Sequence, residues 1–100
     1  MLVVAQIRSE RERLYTGLVH LVDAYKNQGA VVWAGQGNFL LVRLPRASEV
    51  RRRLRDDYSI LVRDFSYAPG LDNCLRITVG TPQENDAALA ALEEIMHEMG

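Results

Sequence analysis

Two arginines, Arg63 and Arg76, are the residues whose type and setting best suit a chemical role. Arg76 lies in a stretch with a period of two, which is typical of a β-strand: Leu75, Ile77 and Val79 alternate with Cys74, Arg76 and Thr78. Burying an unpaired guanidinium is costly, so this arginine needs either a wet rim or an anion. Its planar fork of N–H donors suits a carboxylate or a phosphate. A strand arginine can equally lie over apolar neighbours and reach water, or pair with an internal carboxylate.

Arg63 ends a short apolar run, Ile60 to Arg63, thirteen positions before Arg76. Its guanidinium, like that of Arg76, suits an anion. The competing interpretation of Arg63 is a salt bridge with Asp64 or Asp72 in the adjacent loop.

The other candidates favour structural roles. Four arginines between 51 and 55 lie on a predicted helix that also carries Asp56 and Asp57 without interleaved aromatics, which favours a solvated face over a nucleic-acid patch. His20 and His97 lack ligand-type spacing, so we expect no metal site. Cys74 is interpreted as a small strand residue.

The elements that must position the arginines follow the order α-β-β-α-β-β-α. Helices are predicted at about 2–27, 48–57 and 82–98, and strands at 30–33, 38–44, 60–63 and 74–79, with a turn at 35–37 and a loop at 65–73. This order predicts a two-layer α+β fold with a largely antiparallel sheet and all helices on one face. Asn38 to Leu44 is apolar on both faces, which suggests an inner strand. Arg76 and Thr78 should occupy the face without helices.

The two long helices differ in how they begin. Thr81, Pro82 and Glu84 have the spacing of a capping box with proline at the first helical position. The first helix starts directly after Met1 without a capping residue. This start predicts that the chain is the end of a longer protein, although an ordinary frayed terminus is the alternative.

The composition is that of one ordinary globular domain. The 100 residues are 48% hydrophobic and 25% charged, with a net charge of −1. This balance indicates neither nucleic acid nor a membrane as a partner, and no stretch reaches the ~20 apolar residues of a spanning helix. With one cysteine and no signal-peptide pattern, we expect a cytoplasmic protein.

Three motifs carry a resemblance to a known family. The segment from Cys74 to Asp86, CLRITVGTPQEND, closely resembles the C-terminal signature of histidinol-phosphate aminotransferases. The segment from Gly37 to Arg43 resembles the family's strand with Asn-Phe or Asn-Tyr, and Leu61 to Asp64 resembles its strand end with Arg-Asp. These motifs stand in the family's order and spacing, and the resemblance covers nearly the whole chain but only the last part of the family's length.

The resemblance implies that residues 1–100 form the C-terminal small domain of a fold-type-I, class-II-type aminotransferase that depends on pyridoxal phosphate. In that family the arginine matching Arg76 contacts the acidic end of the substrate, and the one matching Arg63 helps to hold its phosphate. Asn38 would lie near the domain interface, although a role in the turn backbone explains it equally well. Tyr67, in the loop between the arginines, could border the site, but a tyrosine in a loop more often serves packing. The implied reaction transfers an amino group from glutamate to imidazole acetol phosphate, giving histidinol phosphate in histidine biosynthesis.

The same resemblance implies what this chain lacks. The intact enzymes are homodimers, and the lysine that bonds to pyridoxal phosphate belongs to their large domain. Lys26 is the single lysine here, and its place near a helix C-terminus explains it structurally. The chain alone should therefore neither bind the cofactor covalently nor transaminate, and the face that meets the large domain should be uncovered and prone to self-association.

Two alternatives remain. A related fold-type-I enzyme, an aromatic aminotransferase or a threonine-phosphate decarboxylase, could share the signature. A free-standing anion-binding or regulatory domain would need no large domain, but it would need a natural start at Met1.

Overall fold

The computed structural model describes residues 3–34 and 37–99. The helices are α1 (Val4–Asp23), α2 (Ala47–Tyr58) and α3 (Pro82–Met99), and a 3-10 helix (Lys26–Gln28) follows α1. The strands are β1 (Val31–Trp33), β2 (Phe39–Arg43), β3 (Arg63–Asp64) and β4 (Cys74–Thr78). The predicted element order is confirmed; Gly35 and Gln36, in the turn predicted between the first two strands, lie outside the described residues.

All four strands form one antiparallel sheet in the order β1-β2-β4-β3. The inner position predicted for β2 is confirmed, because it pairs with β1 on one side and β4 on the other. The pairing places Leu41 opposite Arg76 in β4, and Arg63 of β3 opposite the same arginine on its other side.

Two predicted boundaries are wrong for identifiable reasons. The first helix does not run to residue 27 but ends at Asp23, and a 3-10 helix closed by Gly29 at φ 88° follows it. The third strand does not begin at Ile60, because the Ile60 N–H bonds to the Leu54 carbonyl at 2.8 Å and helps to close α2. Ser59 adopts a left-handed conformation at this helix end, with φ 56°. The strand is therefore confined to Arg63 and Asp64.

The core lies between one face of the sheet and the three helices. Leu40, Val42, Leu75 and Ile77 line the inner face of the sheet and are at most 3% exposed. Facing them are Leu14, Leu18 and Val22 of α1, Val50 and Leu54 of α2, and Leu92, Ile95 and Met96 of α3. Gly17 allows α1 to approach α3 closely, since a Cβ there would lie 2.6 Å from the Leu89 side chain. The two-layer α+β architecture predicted from the sequence is confirmed.

The opposite side of the sheet carries no helix of the described chain. We call this side the open face; along the strands it consists of Val31, Trp33, Phe39, Leu41, Arg43, Arg63, Cys74, Arg76 and Thr78. The loop at 65–73 lies against one end of it, where Cys74 is fully buried and its Sγ–H contacts the Asp72 carbonyl at 3.6 Å. Among the described helices, none is long and apolar enough to cross a membrane.

Candidate anion-binding site

Arg63 and Arg76 are direct cross-strand partners in the pair of β3 and β4. Residues opposite each other in an antiparallel pair point to the same face, with Cβ atoms about 4.5–5.5 Å apart. The intervening loop reverses the chain, so two arginines thirteen positions apart become neighbours on the open face. The structure thus brings together the two predicted site residues.

The Arg76 guanidinium lies close to two aromatic rings. Its Cζ lies 5.1 Å from the centroid of the Phe39 ring and 5.4 Å from that of Phe65. Its Nε is buried and has no hydrogen-bond partner among the residues that the structure describes. Within residues 3–34 and 37–99, no carboxylate lies in ion-pair distance of this guanidinium. The pairing with an internal carboxylate, one alternative for Arg76, is therefore not found there.

Arg63 is exposed, and the salt bridge considered for it is likewise not found in the described part of the chain. Asp64 is opposite Leu75, so its side chain points toward the helices and away from Arg63. There its Oδ1 accepts hydrogen bonds from the Ser66 hydroxyl at 2.6 Å and the Ser66 N–H at 2.9 Å. These bonds lower the pKa of Asp64 below its ordinary value.

Arg43 is an arginine of the open face that the sequence did not single out. Its Nε donates to the Asp72 carbonyl at 2.9 Å and its Nη2 to the Gly70 carbonyl at 2.6 Å. Its Cζ lies 5.3 Å from the Trp33 ring centroid. Arg43 therefore uses two of its nitrogens, Nε and Nη2, to hold the loop at 65–73 in place. The signal available in the sequence is its place in β2, two residues after Leu41 on the same face.

The charges on this face favour an anion. Like charges directly opposite each other across strands destabilise a sheet. A phosphate between Arg63 and Arg76 would turn that repulsion into two sets of charge-assisted hydrogen bonds. Neither arginine can act as a nucleophile or a general base, and the nearby Cys74 is buried. The arrangement can therefore bind and orient an anion, but it does not itself supply bond-breaking chemistry.

The remaining candidates lie at or beyond the edge of this site. Tyr67 is 77% exposed and its ring meets the Phe65 ring edge-on, with centroids 5.8 Å apart. Asn38 lines a cleft that contains Arg8 and Arg11 and does not contain Arg76. Its main-chain carbonyl accepts the Val79 N–H at 2.7 Å, a bond that extends the pairing of β2 with β4 by one residue.

The two histidines come together in a way the sequence did not indicate. His20 and His97 line one open groove between α1 and α3, together with Glu93. Among the residues that the structure describes, no group of three or more potential ligands is placed to hold a metal ion.

Lys26 does not fit a covalently bound pyridoxal phosphate. It lies in the 3-10 helix after α1, where its Nζ is 3.5 Å from Asp23. It is exposed and lies outside the strands that carry Arg63 and Arg76. The chain's one primary amine on a side chain is thus engaged away from the anion-binding arginines.

Comparison with known proteins gives a consistent set of matches. The model of the family aminotransferase class I and II matches residues 3–92. The histidinol-phosphate aminotransferase of Xanthomonas campestris pv. campestris is 41% identical over 90 residues, which cover 90% of this chain and 23% of that protein. That of Aquifex aeolicus is 43% identical over 94 residues, covering 91% and 24%. The chain thus spans about a quarter of the length of the curated relatives it matches.

Solved structures show the same fold. Histidinol-phosphate aminotransferase from Sinorhizobium meliloti, in complex with pyridoxal-5'-phosphate, has a TM-score of 0.74 at 22% identity, covering 96% of this chain and 25% of that one. L-threonine-O-3-phosphate decarboxylase from Porphyromonas gingivalis has a TM-score of 0.63 at 29% identity, covering 86% and 28%.

Proposed function

We propose that this chain, which belongs to the aminotransferase class I and II family, binds the substrate phosphate in a histidinol-phosphate aminotransferase. Its 100 residues would form the C-terminal small domain of that enzyme. The amino group would pass between glutamate and imidazole acetol phosphate. The identity of 41–43% to enzymes named for this activity supports the choice of substrate.

The observation that carries the proposal is the cross-strand pair of Arg63 and Arg76 on the open face. Neither guanidinium has a carboxylate partner among the described residues. A phosphate monoester has three terminal oxygens and can accept hydrogen bonds from both guanidiniums at once, whereas a carboxylate has only two oxygens. The pair therefore suits a phosphorylated substrate better than an ordinary amino acid.

Pyridoxal phosphate in this proposal is held by the rest of the enzyme, since Lys26 is engaged with Asp23. The chain's part in the reaction is to grip the acidic end of the substrate and so orient it. The 100 residues alone are expected to be inactive. The intact enzyme is proposed to work as a homodimer in the cytoplasm, without nucleic acid or a membrane as partner.

The test is carried out on the complete reading frame that contains this chain. Arg63→Ala is expected to raise the KM for histidinol phosphate by roughly ten- to a hundredfold, because one hydrogen bond to a charged group is worth about 1.5–3 kcal/mol. The KM for phenylalanine as amino donor should change far less, since phenylalanine has no phosphate. Both are measured with 2-oxoglutarate as acceptor.

Arg52→Ala is the matched control. It removes the same charge from an exposed position on α2, where Arg52 pairs with Glu49 at 3.1 Å, and it should leave both donors unaffected. Equal losses on histidinol phosphate and phenylalanine in Arg63→Ala would contradict the proposed role of Arg63. If the complete reading frame supplies no lysine-bearing domain, the enzyme proposal fails and an anion-binding domain takes its place.

A second candidate is a decarboxylase of a phosphorylated amino acid. It is favoured by the likeness to L-threonine-O-3-phosphate decarboxylase. The proposed role of the two arginines is equally compatible with it, because they would contact the phosphate and not the rest of the substrate. Release of carbon dioxide from threonine phosphate, without amino transfer from histidinol phosphate, would select this function.

A further inference from the structure

We propose that Phe39 and Phe65 are positioning residues that fix the plane of the Arg76 guanidinium and so prepare it to bind the substrate's anionic end. The part of this proposal that concerns substrate rests on the proposed function. The stacked arrangement itself does not, and it has a test of its own.

The strand register explains why the two rings lie on opposite sides of one guanidinium. Phe39 is opposite Thr78, which makes it a diagonal neighbour of Arg76 on the open face. On the other flank, the Phe65 N–H bonds to the Cys74 carbonyl at 3.0 Å and continues the ladder by one residue beyond β3. Phe65 is therefore the diagonal neighbour toward the opposite end of β4. One ring thus comes from β2 and the other from the residue that follows β3, and the two occupy opposite diagonal positions around Arg76.

Each ring is itself held in place. Phe39 is the first residue of β2, an inner strand whose residues from Phe39 to Arg43 all pair with β4. Phe65 begins the loop whose other end is fixed by the hydrogen bonds from Arg43 to Gly70 and Asp72. The two rings therefore flank the guanidinium from positions that the backbone pairing on both sides of β4 sets.

The two rings restrict the orientation in which the Arg76 guanidinium can bind an anion. A guanidinium between two rings is attracted to both by cation–π interaction and cannot turn its plane without losing one of them. Its Nε is buried and has no partner in the described part of the chain, so a ligand must approach the terminal nitrogens. Holding the fork still before binding reduces the rotamer freedom that must be lost on binding. Arg63 has no stacked ring in the described chain and is exposed.

The first test is a double-mutant cycle in the complete enzyme, followed through kcat/KM for the best phosphorylated donor. Phe65→Leu should lower kcat/KM about fivefold, a typical effect of losing one partly desolvated cation–π contact. In the Arg76→Ala background the same change should cost less than twofold, because there is no guanidinium left to position. Phe65→Tyr keeps the ring and should restore the rate.

Trp33→Leu is the matched control, because this ring also lies over an arginine of the open face, but over Arg43 and not Arg76. Trp33 does not contact Arg76, so any change in kcat/KM that Trp33→Leu causes should be the same with and without Arg76. An equal loss for Phe65→Leu with and without Arg76 would show that the ring acts on folding and would overturn the proposal.

The second test needs no activity. In a ¹⁵N-edited NMR spectrum of the 100-residue chain, the Arg76 Hε proton should be shifted from the other arginine Hε signals by the ring currents of both phenylalanines. Arg76→Lys identifies the signal by deleting it, and Phe39→Leu and Phe65→Leu should each move it part of the way back. Absence of a shifted signal, or one unchanged in both variants, would overturn the stack. A shifted signal together with no preference for phosphorylated donors would leave the stack standing and remove the proposed substrate.

Discussion

Asn85 has a structural role that its place in the sequence motif does not indicate. It belongs to the Glu-Asn end of the signature, yet the structure shows it 2% exposed and structural. Its Oδ1 accepts the Gly80 N–H at 2.8 Å, and its Nδ2 donates to the Gly80 carbonyl at 3.0 Å and to Glu10 Oε1 at 3.1 Å. One side chain thereby joins α1, the end of β4 and the start of α3.

Asn85→Ala should destabilise the protein by about 1–3 kcal/mol, because it leaves both polar groups of the Gly80 backbone without their partner. Urea unfolding followed by circular dichroism measures the change. Gln83→Ala, exposed on the same helical turn, is the control and should shift the midpoint little. Similar midpoints for the two variants would show that water replaces the amide at no cost.

Arg43 and Arg76 show how far residue type alone can be taken. Both lie on the open face and both contact aromatic rings. Arg43 donates to two loop carbonyls, whereas Arg76 makes no hydrogen bond to the described residues through its Nε. The difference arises from where the loop at 65–73 returns, which no local pattern in the sequence encodes.

At the scale of the elements, the start of α3 is the junction best encoded by local sequence. The predicted capping box is confirmed: the Glu84 N–H donates to Thr81 Oγ1 at 3.2 Å, and the Thr81 N–H donates to Glu84 Oε1 at 2.8 Å. Gly80 leaves room for this arrangement, since a Cβ there would lie 2.6 Å from Glu84 Oε1. The hydrogen bonds from Thr81 lower the pKa of Glu84 below its ordinary 4.5. Those from Arg13 and then Asn85 lower the pKa of Glu10.

These lowered pKa values predict a loss of stability in acid. A carboxylate with a folded-state pKa below its unfolded value stabilises the fold above the unfolded value, and this contribution disappears as the pH falls through the folded pKa. The urea midpoint should therefore fall as the pH is lowered below the ordinary glutamate pKa of 4.5, and Glu84→Gln should reduce the fall by removing one of the groups responsible.

Gln83→Ala, which removes no carboxylate from an exposed position of the same helix, is the control for that prediction, and its pH profile should match that of the unchanged chain. An identical acid response in Glu84→Gln would mean that the capping carboxylate is not coupled to folding.

The elements also show which parts of the fold were predictable. Periodicity and capping are local, so the order of helices and strands and the start of α3 follow from neighbouring residues. The third strand was overestimated because the Ile60 N–H is taken by the Leu54 carbonyl and the Val62 carbonyl by Arg51 Nε, leaving two residues for the ladder. The two site arginines were identified through family motifs. Their cross-strand pairing and the rings around Arg76 depend on register, which is set by the tertiary fold.

At the scale of the whole molecule, the chain is as compact as a complete domain. Its radius of gyration is 12.7 Å, and a 100-residue domain is expected at about 13 Å. The helices bury one face of the sheet, and the open face retains an accessible aromatic side chain, Trp33, which is 38% exposed. The loop at 65–73 adds Tyr67, which is 77% exposed. In the proposed enzyme this face would meet the rest of the protein.

The open face should make the 100-residue chain self-associate weakly through its apolar and aromatic side chains. Two such faces also bring arginine against arginine, so a divalent anion that bridges guanidiniums should strengthen the association. We therefore expect the sedimentation coefficient to rise with protein concentration, and to rise further in sulfate than in chloride at equal ionic strength. Trp33→Ser should weaken the association, whereas Val19→Ser, with nearly the same exposure (39% against 38%) but on the helix layer, should not. If both variants weakened it equally, the association would be non-specific; if chloride and sulfate gave the same result, the arginines of the open face would not take part in it.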